Sequence, residues 1–188
     1  MAAADARKDS SIYVMDGMSC AVYDFHGRIV IVMTPRTGDD EMSDIHVEAS
    51  RTIDAPAEVV YGFLKDYQVK HPSILPAAFH DYVVEEGGDG AGTVFHVNVR
   101  AGGRDRRYHM RVSEPTPGTV LREKDIATSL TTSFTVTPID DAHSTLRIAT
   151  EWSGGSGLGG FMERTFAPGV MRRIYMDELD RVAAAVKG

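Results

Sequence analysis

Cysteine is almost missing from this chain of 188 residues: Cys20 stands alone. One thiol excludes an intramolecular disulfide framework and any cysteine-rich zinc site, and it fits a reducing cytoplasm. Long apolar runs are missing too. Stretches such as Ile29 to Met33 fall far short of the roughly 20 residues that a bilayer-spanning helix needs. An excess of positive charge is also absent: 20 Lys plus Arg stand against 27 Asp plus Glu, a formal charge of −7. The chain as a whole therefore repels phosphate backbones and anionic lipid, and nucleic acid is not an expected partner. The opening residues, MAAADARKDSS, lack the apolar core of a secretory signal and carry acidic residues that a transit peptide avoids. No nucleophile elbow, H-E-x-x-H motif or cysteine pair occurs. What remains is 43% apolar and 25% charged, a composition that supports one sizeable core without covalent staples.

Residues 1–43 read differently from the rest. Ile12 to Met15 and Ala21 to Met33 have strand character, the second around a His26-Gly27 turn, and Pro35 to Asp44 is a polar, acidic connector. The stretch is either an extra hairpin or a loosely attached, partly disordered extension, with Met42 opening the segment where the pattern sharpens. From Ile45, Val47, Ala49, Arg51 and Ile53 alternate with His46, Glu48, Ser50 and Thr52, which is a strand. Asp54 offers a side-chain cap and Pro56 suits a first helical turn, predicting a helix over about Pro56 to Lys65 that buries Val59, Val60, Phe63 and Leu64. His71-Pro72 and Leu75-Pro76 then break the chain into short helical or turn pieces.

Six strands at hairpin spacing follow: about Asp81 to Glu86, Thr93 to Ala101, Arg104 to Ser113, Thr119 to Asp125, Thr131 to Thr137 and Thr145 to Trp152. Their short connections imply an antiparallel meander. Gly157 to Val186 is the long helix. Met171, Tyr175, Leu179, Val182 and Val186 form its apolar stripe, and Arg173, Asp177 and Arg181 its solvent side. The upstream stripe of Leu158, Phe161, Met162 and Phe166 is rotated from the later one, and a kink at Pro168-Gly169 would let both face one sheet.

This order of elements resembles the helix-grip fold of the SRPBCC superfamily, which includes START lipid-transfer domains, pollen-allergen proteins and polyketide cyclases. IDAPAEVVYGFLKDY (Ile53 to Tyr67) resembles the first-helix signature of the polyketide cyclase/dehydrase and lipid-transport family. FMERTFAPGVMRRIYMDEL (Phe161 to Leu179) is similar to that family's terminal helix, and EEGGDGAGT (Glu85 to Thr93) to the glycine-rich loop of the allergen branch. The resemblance covers about Ile45 to Lys187. It implies an α+β domain over 44–188, in which a curved antiparallel sheet of about seven strands wraps the long helix around an internal cavity for an apolar or aromatic ligand. Residues 1–43 depart from the pattern.

Candidate chemistry is sparse. Gly155 to Gly160 fits G-x-G-x-x-G, but the chain ends with the helix that follows, so the further strand of a dinucleotide fold is missing and a hinge is the expected role. Gly87 to Gly92 lacks the Lys-Ser/Thr of a phosphate loop. No cofactor is expected. The Gly102-Gly103 hairpin signal pairs residues whose numbers sum to 205, placing Phe95, Val97, Val99, Arg106, Tyr108 and Met110 on one face. His96 with His109, Asn98 with Arg107 and Arg100 with Asp105 share the other. The apolar face must point inward, so the histidines are expected outside and no metal site is expected. Phe134 to Ile148 and Val136 to Leu146 pair across the Asp140-Asp141 turn. The cavity lining expected from these parities is Phe95, Val97, Val99, Tyr108 and Met110, with Phe134, Val136, Ile148 and Trp152, and Leu158, Phe161, Met162 and Phe166 from the helix. Tyr108 is the candidate catalytic group, since a buried phenol can donate to a carbonyl. In Thr119 to Asp125 two registers stay open, one turning Arg122 and Lys124 inward and the other Glu123 and Asp125. Three functions fit: a binder or carrier of a hydrophobic small molecule, a cofactor-free polyketide cyclase or aromatase, or a protein-interaction module using the convex face.

Overall fold

The apolar/polar alternation that begins at Ile45 forms the first strand of a seven-stranded antiparallel sheet. The computed structural model describes the backbone of residues 10–15, 18–25, 28–35, 44–101, 103–154 and 157–187, and the side chains of 45–101, 103–154 and 167–187. The chain divides into two compact units, Met1–Ser43 and Asp44–Gly188. The first is a three-stranded antiparallel sheet of β1 (Ser10–Met15), β2 (Met18–Phe25) and β3 (Arg28–Pro35), in the order β1-β2-β3. Phe25 pairs with Arg28, and the His26-Gly27 turn between them lies outside the described residues.

In the second unit, β4 (Asp44–Ile53) leads into α1 (Ala57–Leu64) and α2 (Lys70–Ile74). A meander follows: β5 (Phe79–Glu86), β6 (Val94–Ala101), β7 (Arg104–Thr116), β8 (Val120–Asp125), β9 (Thr131–Pro138) and β10 (Ser144–Ser153). The helix α3 (Gly157–Ala185) ends the fold. The sheet order is β4-β10-β9-β8-β7-β6-β5, so the first and second strands form opposite edges and the two short helices bridge them. The pairings read from the two turns hold throughout. His96 faces His109 and Val97 faces Tyr108 across β6 and β7, while Phe134 faces Ile148 and Val136 faces Leu146 across β9 and β10. Ala101 pairs with Arg104, and Gly103 takes φ +75°, the left-handed region a tight two-residue turn requires. Its partner Gly102 lies outside the described residues.

Two local readings are corrected. Asp54 does not cap α1: Pro56 occupies the cap position with no side-chain bond, and the Asp54 carboxylate pairs instead with Lys187 at 2.7 Å. On α1 the inner face is Val60, Tyr61 and Leu64, whereas Val59 is 44% exposed. The three-residue step from Tyr61 to Leu64 sets the helix face, and Phe63 packs only at its border. On α3, Tyr175, Leu179 and Val182 are buried against the sheet with Met171 and Val186 beside them. Arg173 and Arg181 are exposed on the other side, where Arg181 meets Asp177 at 3.1 Å. Pro168 lies inside the helix.

Candidate functional site

The concave side of the sheet and α3 enclose a cavity of about 910 Å³. Strand parity builds its walls. Phe95, Val97 and Val99 come from β6, Tyr108 and Met110 from β7, Phe134 from β9 and Trp152 from β10; these seven residues from the sequence reading all stand in the wall. Val136 and Ile148 do not. They face inward, but they are 1% and 0% exposed within the closed core. The side chains of Leu158, Phe161, Met162 and Phe166 lie outside the described residues. The wall also contains Leu75, Phe79 and Tyr82. The pairing of β5 shifts between His80 and Val83, with Asp81 at φ 53°, a bulge of the kind that re-aims a side chain.

The open question on β8 is settled by burial. Leu121, Glu123 and Asp125 point inward, and Arg122 and Lys124 are exposed. Asp125 accepts the backbone N–H of His109 at 2.9 Å and the Thr128 hydroxyl at 2.7 Å. Glu123 belongs to a buried polar cluster at the deep end of the cavity. Tyr67 donates its hydroxyl to Glu123 Oε1 at 2.9 Å and stacks on His71 with ring centroids 4.5 Å apart. His71 is 2% exposed. Its Nδ1 lies 2.8 Å from the Leu64 carbonyl oxygen, which only an N–H can face, so Nε2 carries the lone pair and stands 3.5 Å from Glu123 Oε1. Across the cavity, Thr132 and Thr150 share a 2.8 Å bond, and Thr150 shares one of 2.5 Å with the Tyr175 hydroxyl. Glu178, one helical turn beyond Tyr175, is 2% exposed, and its Oε1 has no hydrogen-bond partner among the described residues.

Burial decides the ionisation of this cluster. It pushes the Glu123 carboxyl up to about 7, against the bond from Tyr67. It pushes Glu178 up to about 8, with the charges of Glu123 and Asp177 adding to the rise. Desolvation holds the His71 imidazole down, to about 4. Around neutral pH the cavity therefore has a neutral imidazole whose lone pair faces one carboxyl, and a second carboxyl able to donate a proton. The sequence pattern leaves Glu123 inward in one of two open registers and gives no chemical role to His71 or Glu178. Glu178 follows Tyr175 by three residues, the spacing that places two side chains on one helix face; this was the available signal. His71 was read only as part of a chain break.

The histidine pair sits on the outer face. Glu85 joins the two, with Oε1 2.9 Å from His96 Nδ1 and Oε2 2.7 Å from His109 Nε2. Among the described residues, no group of three or more His, Cys, Asp or Glu is placed to hold a metal ion. The segment Gly87 to Gly92 is a turn tied to the helices: Gly90 N–H donates to the Lys65 carbonyl at 2.8 Å, and Tyr67 N–H to that of Gly88 at 2.9 Å. Gly155 and Ser156 lie outside the described residues, and Gly157 to Gly160 begin α3.

Residues 44–187 match the family model described as polyketide cyclase / dehydrase and lipid transport. The chain belongs to this family. The helix-grip architecture agrees with that membership and with the wider SRPBCC, START-like superfamily. Among solved structures, the KanY protein is 33% identical, covering 78% of this chain and 99% of its own, with a TM-score of 0.69. An aromatase/cyclase named Zhui from a Streptomyces species is 19% identical over 77% of this chain and 94% of its own, with a TM-score of 0.65. Norcoclaurine synthase from Thalictrum flavum, solved with dopamine and hydroxybenzaldehyde, is 15% identical over 77% and 87%, with a TM-score of 0.59. The last two are likenesses of fold. No curated protein sequence matches the chain. No helix among the described residues is long and apolar enough to cross a membrane.

Proposed function

We propose that this member of the family binds a hydrophobic small molecule, aromatic, polyketide-like or lipid, in the cavity between sheet and α3. The observation that carries the reading is the cavity itself. About 910 Å³ falls within the range of sites that enclose a drug-sized ligand, roughly 300–1,000 Å³. Leaving such a volume unfilled beside Phe95, Val97, Met110 and Phe134 forfeits packing that a ligand restores. The residues proposed to touch the ligand are those of the wall already named, with Leu158, Phe161, Met162 and Phe166 from the first turns of α3. Native mass spectrometry of the purified chain tests this reading. A retained small molecule, or a melting temperature raised by added apolar ligands, is the expected result; a mass equal to the bare chain with no ligand-induced shift contradicts it.

One observation favours a second reading, a cofactor-free cyclase. A carrier has no need of two buried carboxyls and a neutral imidazole in its wall. In an intramolecular aldol closure, His71 Nε2 or ionised Glu123 would take the proton from an activated carbon. Glu178 would give its proton to the carbonyl oxygen as the carbon–carbon bond forms, and Tyr108 would add a hydrogen bond to a carbonyl. Turnover of a poly-β-ketone analogue should then fall at least about a hundredfold in Glu178→Gln while binding persists. Unchanged turnover in that variant removes Glu178 from the chemistry.

A further inference from the structure

The outer face of the seven-stranded sheet has a surplus of positive charge at its middle. Strand parity turns Arg111 of β7 and Arg122 and Lys124 of β8 away from the cavity, and all three are exposed. Arg111 stands directly opposite Lys124, and Arg122 opposite Ser113, the next outward residue of β7. Like charges directly opposite each other have Cβ atoms about 5 Å apart and destabilise a sheet, and a diagonal neighbour at about 7–8 Å is still within reach. Five carboxylates of the same face are already engaged. Glu85 holds His96 and His109, Asp81 holds His80 and Asn98, and Asp105 holds His80 and Arg100. On the other flank Glu48 accepts from Arg147, and Glu151 stands 3.4 Å from His46. Among the described residues, Arg111, Arg122 and Lys124 have no such partner. Across β9 they meet hydroxyls, Thr131 opposite Lys124 and Ser133 opposite Arg122. The outward row of β8 ends on an apolar side chain. Ile126 is 52% exposed, and its N–H donates to the His109 carbonyl at 2.8 Å, which continues the ladder one residue past Asp125.

We propose that this outer row binds an acidic peptide segment of a partner protein, one that presents two carboxylates and an apolar side chain on alternate residues. Along β8 the outward residues Arg122, Lys124 and Ile126 follow one another at steps of about 7 Å. An extended segment laid along the strand matches them with acid, acid and apolar residues at i, i+2 and i+4. Arg111 reaches the second carboxylate from across β7, and the bound acids relieve the repulsion between Arg111 and Lys124. Clustered cations recognise acidic motifs through charge-assisted hydrogen bonds. The charge around the row selects a narrow occupant. With a formal charge of −7 the chain repels a plane of anionic lipid or a nucleic-acid duplex, and the carboxylates on both flanks would meet either one. A single extended segment covers only the row between them.

Fluorescence anisotropy of a rhodamine-labelled peptide, Gly-Glu-Ser-Glu-Ser-Leu-Gly, titrated with the full chain at low salt, tests the assignment. Binding should be saturable and at least about fivefold tighter than that of the same peptide with Gln for Glu, and the gap should narrow as salt rises. Lys124→Glu should abolish the preference. The same variant turns a repulsive cross-strand pair into an attractive one, so its melting temperature should rise. Arg173→Glu removes an exposed cation of α3 and should leave peptide binding unchanged. Equal binding of the two peptides, or a preference that survives in Lys124→Glu, overturns the proposal. A melting temperature lowered by Lys124→Glu would show that the row is neutralised within the fold and needs no partner. Phosphatidylserine vesicles and a DNA duplex complete the panel: if either binds more tightly than the peptide and is lost in Lys124→Glu, the row belongs to lipid or nucleic acid and the peptide assignment is wrong. The cavity lies on the other side of the sheet, so its reading stands under every one of these results.

Discussion

Glu178 and Glu123 hold protons in the fold that they would release in the unfolded chain. Their folded values, about 8 and about 7, lie above the ordinary carboxylate range, so the folded state binds more protons between about pH 4.5 and 8. Stability must therefore fall as pH rises through that window, by at most about 3 kcal/mol for Glu123 and about 5 kcal/mol for Glu178. His71, held down to about 4, has the opposite slope: its contribution is lost as pH falls from about 6.5 through 4. The two effects oppose each other below about 6.5, and above it only the carboxyls act. Melting measured from pH 6.5 to 8.5 should decline in the wild type and decline less in Glu178→Gln, where Glu123 alone still titrates. A flat wild-type curve would show that these carboxyls are solvated. On the outer face, His96→Ala and His109→Ala each break one bond to the half-exposed Glu85. Chemical denaturation should register losses under about 1 kcal/mol, with ligand binding unchanged.

At the scale of elements, the turns made the fold legible. With Gly102-Gly103 and Asp140-Asp141 as hairpin turns, pairing arithmetic gives the observed registers and puts seven side chains on the face that lines the cavity, because a strand's two-residue period leaves no intermediate orientation. Helix faces were less legible. On α1 the apolar run Val59, Val60, Tyr61, with Phe63 and Leu64, fits more than one face, and packing against β9 and β10 chose Val60, Tyr61 and Leu64. Val60→Ala should accordingly cost about 2 kcal/mol and Val59→Ala under about 0.5 kcal/mol; equal losses would overturn the observed face. The polar cluster was the least legible part. His71, Glu123 and Glu178 come from three separate elements, and no local spacing joins them. Gly88 carries another test. Its φ is +121°, and a Cβ there would come within 2.3 Å of the Gln68 side chain, so Gly88→Ala should lower stability by about 1–3 kcal/mol.

Over the whole molecule, the second unit holds the family match and every cavity residue named here. A chain beginning at Met42 should keep its melting temperature within a few degrees and retain ligand binding; a large drop would assign β1 to β3 a stabilising role. The central claim is that a ligand occupies the space between sheet and α3, and Trp152 reports on it directly. The decisive measurement is titration of its fluorescence with flat aromatic and long-chain ligands in the wild type, Val97→Arg and Asn98→Arg. Val97 is 5% exposed and lines the cavity, whereas Asn98, one residue along, bonds Asp81 on the outer face. An unpaired cation in the cavity is costly. The account predicts a saturable signal in the wild type and in Asn98→Arg, and its loss in Val97→Arg. Saturable binding that survives in Val97→Arg, or no response in the wild type to any ligand of the panel, would contradict it.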